Sequence, residues 1–264
     1  MSKKVLAVAC HPDDIEFVMA GTLLQLKDRG YETHYVNVAN GSMGTSQYTR
    51  EAIIDIRRAE ARAAAESLGA VYHESFVDDL GVFYDSATCL KLCSLVRRVE
   101  PEILLVQSPQ DYMEDHQNAV RLAVTAAFCR GMQNMPVNPP WPTTSREITV
   151  YHAQPHGNRD ALRKLIRPGL YVDIESVLER KINALACHKS QQSWLDESQK
   201  MNAYLEAMVT MAGEVGTLSQ RFRHAEGWRR RSHLGFCAAN ADPLFEALRD
   251  VAVIDERYEA ELNQ

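Results

Sequence analysis

A chain of 264 residues, 45% hydrophobic and 24% charged, can bury a sizeable core and sits at the upper edge of what one α/β domain holds. One domain over residues 1–264 is therefore expected, with a helical C-terminal elaboration. A net charge of -6 and a pI near 5.9 lack the basic face that nucleic acid or an anionic membrane demands, so the expected partner is a small molecule. Six cysteines (Cys10, Cys89, Cys93, Cys129, Cys187, Cys237) form no CxxC pair and fit reduced thiols. The opening apolar run meets His11 and two aspartates before a signal peptide or membrane span could be complete, which makes the cytoplasm the expected compartment.

In chain order, "KVLAVAC" is a buried strand, and the amphipathic "GTLLQLKDRG" after it is a helix with Gly at each boundary. "THYVNVAN" predicts a strand, "REAIIDIRRAEARAAAESLG" a long helix ended by Gly69, and "AVYHESF" a strand. The helix "CLKLCSLVRRV" stops at Glu100-Pro101, and "EILLVQS" is the most hydrophobic strand of the series. Buried strands alternating with helices imply a mostly parallel sheet covered on both faces. The stretch "GMQNMPVNPPWPTTSRE" carries four of the ten prolines and reads as a surface loop, expected at the rim of a site. "EITVYHA" and "LYVDI" are further strands, and "SVLERKINALACHKSQQSWL" reads as one helix. From "ESQKMNAYLEAMVTMAGEVG" onward the chain reads as helical and then irregular, ending in the basic cluster "RFRHAEGWRRRSH". Met201, Met208 and Met211 fit a core or a subunit interface, which leaves a homo-oligomer open.

In such a sheet, ligands bind beyond the carboxyl ends of the strands. The stretch "ACHPDDIEF" puts His11, Asp13 and Asp14 at such an end. No glycine follows until Gly21, so a dinucleotide fingerprint is absent. Imidazole and carboxylate are the usual ligands of a catalytic Zn²⁺, and His11 and Asp14, three residues apart, can share one ion, with Asp13 left free as a base. Capping of the following helix by the two aspartates is the competing reading. The turn "SPQDYMEDHQNAV" adds Asp111, Glu114, Asp115 and His116 at another strand end, where His116 is the natural third ligand or a solvated first-turn residue.

With these motifs the chain resembles the metal-dependent GlcNAc-phosphatidylinositol de-N-acetylases (PIG-L or LmbE-like). The signature A-H-P-D-D-x-E is met by "ACHPDDIEF", with Cys10 before the His, and further echoes are "NGSMGT", Arg57 and Glu60 before "LG", "DYMEDH", "ALACHKSQ" and "HAEGW". The resemblance implies a Rossmann-like fold, Zn²⁺ on His11, Asp14 and His116, Asp13 as general base, and Arg57 in contact with substrate. Arg57 also reads as a helix-surface residue paired with Glu60. The implied reaction is hydrolysis of an N-acetyl group on an amino sugar or its conjugate.

One departure matters chemically. Met113 stands where the family's turn has a His that stabilises the oxyanion and protonates the leaving amine, and a thioether does neither. His156, in the loop after "EITVYHA", is the candidate replacement, with His152 nearer the strand. Two alternatives stay open: a metal- and sugar-binding protein without turnover, or an amidase acting on a thiol conjugate. His188 matches a family position or is a core histidine, and Arg229 to Arg231 read as an anion-binding group or a solvated face.

Overall fold

The computed structural model describes residues 3–199 and 204–262, so Met201 lies outside the described residues. The first half alternates strand and helix. It comprises β1 (Lys4–Ala9), α1 (Asp14–Val18), α2 (Ala20–Asp28), β2 (Glu32–Asn37), α3 (Arg50–Ser67), β3 (Val71–His73), α4 (Ser86–Val99), β4 (Ile103–Val106) and α5 (Glu114–Cys129). The second half holds β5 (Thr149–Ala153), β6 (Leu170–Asp173), α6 (Leu178–Leu185), α7 (Lys189–Gln199), α8 (Tyr204–Ser219), β7 (Ala225–Arg230), α9 (Pro243–Leu248), β8 (Ala252–Ile254) and α10 (Glu256–Glu261).

The strands form one sheet in the order β3-β2-β1-β4-β5-β7-β6-β8. The first five are parallel neighbours, and β7, β6 and β8 join antiparallel. Alternation along β1 sends Val5, Ala7 and Ala9 to one core and Leu6, Val8 and Cys10 to the other, which is why the run reads as continuously apolar. The first core is covered by α1, α2, α3, α6, α8 and α9, the second by α4 and α5. Helix starts are fixed locally: Thr49 accepts from the Ala52 N–H at 3.3 Å and Asp85 from the Thr88 N–H at 2.9 Å.

Three expectations change. The cluster "RFRHAEGWRRRSH" is not irregular, because Ala225–Arg230 is β7, inserted between β5 and β6. Its Glu226 is buried, accepting from the Gly21 and Thr22 N–H groups and from Lys181, which also donates to the Phe17 carbonyl. This buried pair bridges the break between α1 and α2, satisfying backbone groups that neither helix can satisfy alone. The helix expected over 176–195 is two helices, α6 and α7, with the chain turning at Ala186 to His188.

The proline-rich loop is away from the site. Helix α5 runs antiparallel to the strands, so its end and the loop after it lie at the opposite edge of the sheet. There Arg97 pins the loop through the carbonyls of Arg130, Trp141 and Met132.

Candidate active site

The β1 strand ends in a tight turn at His11 to Asp13. Its first residues are fixed by neighbours: the Cys10 N–H donates to Gln107 Oε1 at 2.8 Å, and Asn37 Nδ2 donates to the His11 carbonyl at 2.6 Å. Asp13 adopts φ 110°, a left-handed conformation unusual for a non-glycine residue, and strain of this kind concentrates at functional sites. Neither aspartate caps α1 as a spare residue would. Asp14 Oδ2 accepts from the His11 N–H at 2.7 Å, and Asp13 Oδ2 accepts from the Tyr204 hydroxyl at 2.6 Å.

The turn after β4 brings His116 alongside, and it is buried, not solvated. His11 Nδ1 lies 3.2 Å from His116 Nε2, His116 Nε2 lies 3.4 Å from Asp14 Oδ2, and His11 Nδ1 lies 3.6 Å from Asp14 Oδ2. Ligands about 2.0–2.2 Å from a tetrahedral ion stand roughly 3.3–3.6 Å apart, so the donor set fits one divalent metal. The remaining ring nitrogens are held by carboxylates: His116 Nδ1 by Asp111 Oδ1 at 2.9 Å and His11 Nε2 by Asp115 Oδ2 at 3.2 Å. Such partners orient metal-binding imidazoles and fix their tautomer. Burial alone would raise the Asp14 pKa, but His116 and His11 beside it hold it well below the usual carboxylate range. Cys10, His11 and Asp115 form a second possible donor group around the other His11 nitrogen. Burial pushes the Cys10 thiol up to about 12.

His11, Asp14 and His116 line a cavity of about 290 Å³, at the lower end of the usual scale of small-molecule pockets. Asp13, Arg57, Met113 and His156 line it too, beside Tyr112, Gln191, Trp194 and Tyr204. Burial raises the Asp13 pKa above its ordinary value, while the positive charge of Arg57 pulls the other way. Arg57 is only 2% exposed and does not pair with Glu60, which binds Ser190 instead. The motif "NGSMGT" makes room for it, since a Cβ on Gly41, at φ +81°, would stand 2.4 Å from the Arg57 side chain. Asp79 holds that loop through the N–H groups of Gly41 and Met43.

His156 enters the cavity with its N–H donating to Asp111 Oδ2 at 3.0 Å and its ring 5.1 Å from that of Phe17. Its loop is thus tied to the same carboxylate that orients His116. His152 is buried in the sheet, with Nδ1 3.2 Å from the Gln107 carbonyl. His188 is fully buried at the α6–α7 turn, 3.4 Å from Glu16. Arg229 is neither a free anion site nor a solvated face: it braces the turn after β4 through Ser108 Oγ at 2.9 Å and Gln110 Oε1. From the sequence Asp111 and Asp115 had no role, Gln191 closes the motif "ALACHKSQ" without being singled out, and Tyr204 comes from a distant helix with no motif around it.

Comparison with known proteins gives the family. The family model described as PIG-L, GlcNAc-PI de-N-acetylase, matches residues 6–128. The chain is 30% identical to 4-oxalmesaconate hydratase of Pseudomonas putida, over 85% of this chain and 88% of that protein. It is 27% identical to diacetylchitobiose deacetylase of Thermococcus kodakarensis, over 86% and 82%. The crystal structure of 4-carboxy-2-hydroxymuconate hydratase from Pseudomonas putida superposes with a TM-score of 0.73 at 26% identity, covering 91% of this chain and 99% of that one. Fold and relatives alike place the chain among α/β enzymes. The chain belongs to the GlcNAc-PI de-N-acetylase (PIG-L) family. Among the described residues no helix is long and apolar enough to cross a membrane.

Proposed function

We propose that the protein is a metal-dependent N-deacetylase that removes the acetyl group of an amino sugar or amino-sugar conjugate. The observation that carries this reading is the convergence of His11, Asp14 and His116 on one point beside Asp13. These three residues would hold the ion, with Zn²⁺ the natural choice for two imidazoles and a carboxylate. When bound, such an ion lowers the pKa of a water towards about 7 and polarises an amide oxygen.

The chain's own groups supply the proton chemistry. Asp13 takes the proton of the attacking water, aided by a burial-raised pKa and oriented by Tyr204. Arg57 binds the substrate from the side wall. The nitrogen that leaves must gain a proton, which Met113 cannot give, and His156 is the imidazole in the same cavity that takes over this role. The experiment is an acetate-release assay of the zinc-loaded protein on a panel of N-acetylated amino sugars. Steady release from at least one supports the reading, and none from any would end it.

A second reading is favoured by Met113 itself. Addition of water to a conjugated double bond expels no amine and needs no imidazole at that position, and a hydratase stands among the relatives. Loss of substrate absorbance on incubation with 4-oxalmesaconate, without acetate release from the sugars, would select it.

A further inference from the structure

Arg57 is a buried cation with an incomplete set of partners. Nη2 donates to the Pro12 carbonyl at 2.7 Å, Nη1 donates to Gln191 Oε1, and Nε has no partner. Both acceptors are neutral, and among the described residues no carboxylate oxygen lies within ion-pair distance of it, although its charge reaches the Asp13 carboxylate. Arg229 Nε is also without a partner, but that side chain lies outside the cavity, and two fully buried cations are completely partnered. Arg97 places Nε, Nη1 and Nη2 on three carbonyls at 3.0, 3.0 and 2.7 Å, and Lys181 pairs with Glu226. A guanidinium kept dry costs free energy unless something completes it, and Arg57 lines the cavity of the metal cluster.

We propose that Arg57 and Gln191 form a receptor for a carboxylate on the substrate, so that this enzyme acts on acidic molecules. The inference rests on this cavity being the active site proposed above, not on which bond is broken there. One guanidinium balances a single negative charge, and its planar fork matches a carboxylate. Among the described residues no lysine lines the cavity to neutralise the second charge of a phosphate.

The test is calorimetric titration of the zinc-loaded protein with two matched pairs: N-acetylmuramic acid against N-acetylglucosamine, and fumarate against fumaramide. The acid of a pair is expected to bind about ten-fold more tightly or better, the usual scale of a charge-assisted contact. Arg57→Gln should abolish that advantage. Because a buried substitution can cost the fold, Gln191→Glu serves as the second variant. It sets an internal carboxylate on Nη1 and should abolish the advantage with metal content unchanged. Discrimination by the fumarate pair alone would support the receptor while counting against the deacetylase reading. Equal binding of acid and neutral partner in both pairs overturns the proposal. So does an acid preference that survives Gln191→Glu in folded, zinc-loaded protein, since it would then belong to the ion.

Discussion

Replacing Asp111 by Asn tests how the site holds its histidines. The carboxylate accepts from His116 Nδ1 at 2.9 Å and from the Met113 N–H at 3.1 Å through Oδ1, and from the His156 N–H at 3.0 Å through Oδ2. An amide keeps one acceptor and turns the other into a donor. With its oxygen on His116, its NH₂ meets the His156 N–H. With the amide reversed, Nδ1 must become the acceptor and the ring proton moves to Nε2, the atom aimed at the ion. Either outcome forfeits a bond to a buried charged acceptor, about 1.5–3 kcal/mol. That energy corresponds to roughly ten- to a hundred-fold in affinity, the usual effect of losing a carboxylate behind a metal-binding imidazole. Competition with a chromophoric chelator at neutral pH measures it directly, with thermal melting of the metal-free protein reporting on the fold. Zinc affinity unchanged in a folded Asp111→Asn protein would refute the reasoning.

Three further outcomes are expected. Asp13→Asn should retain the metal while turnover falls about a hundred-fold or more, the scale for loss of a general base, and metal loss would show that Asp13 is a ligand. His156→Ala should cost about 3 kcal/mol of transition-state stabilisation with metal content intact, and Met113→His should partly restore turnover; unchanged acetate release in His156→Ala would remove it from the mechanism. Burial, with Arg231 and Arg229 nearby, lowers the His152 pKa from 6.5 to about 4. The unfolded chain therefore takes up a proton below pH 6.5 that the folded one refuses, so this stability is present above 6.5 and lost as pH falls towards 4, by about 3 kcal/mol in all. Melting curves of His152→Gln should show a shallower acid decline than the parent, and parallel declines would place the effect elsewhere.

The parallel half of the fold was legible because β1 and β4 are buried on both faces and read as unbroken apolar runs. The antiparallel half was not. Strand β7 carries Glu226 and Arg229, whose burial depends on Lys181 and on the Ser108–Gln110 turn, partners more than forty residues away in the chain. The α6–α7 turn contains neither Gly nor Pro, so nothing local announced it. In the site, His11, Asp14 and His116 could be grouped because strand ends of a parallel sheet converge. The Tyr204 contact with Asp13 spans 191 positions and is specified only by where α8 packs. The proline-rich loop misled because its composition shows that it is a loop but not which edge of the sheet it borders.

The central claim is that His11, Asp14 and His116 hold one divalent ion. Its most direct test is elemental analysis of gently purified protein beside His11→Ala and His116→Ala. The account predicts near-stoichiometric Zn²⁺, or a replacement such as Fe²⁺ or Ni²⁺, in the parent and little in either folded variant. Metal content unchanged in both variants would contradict it.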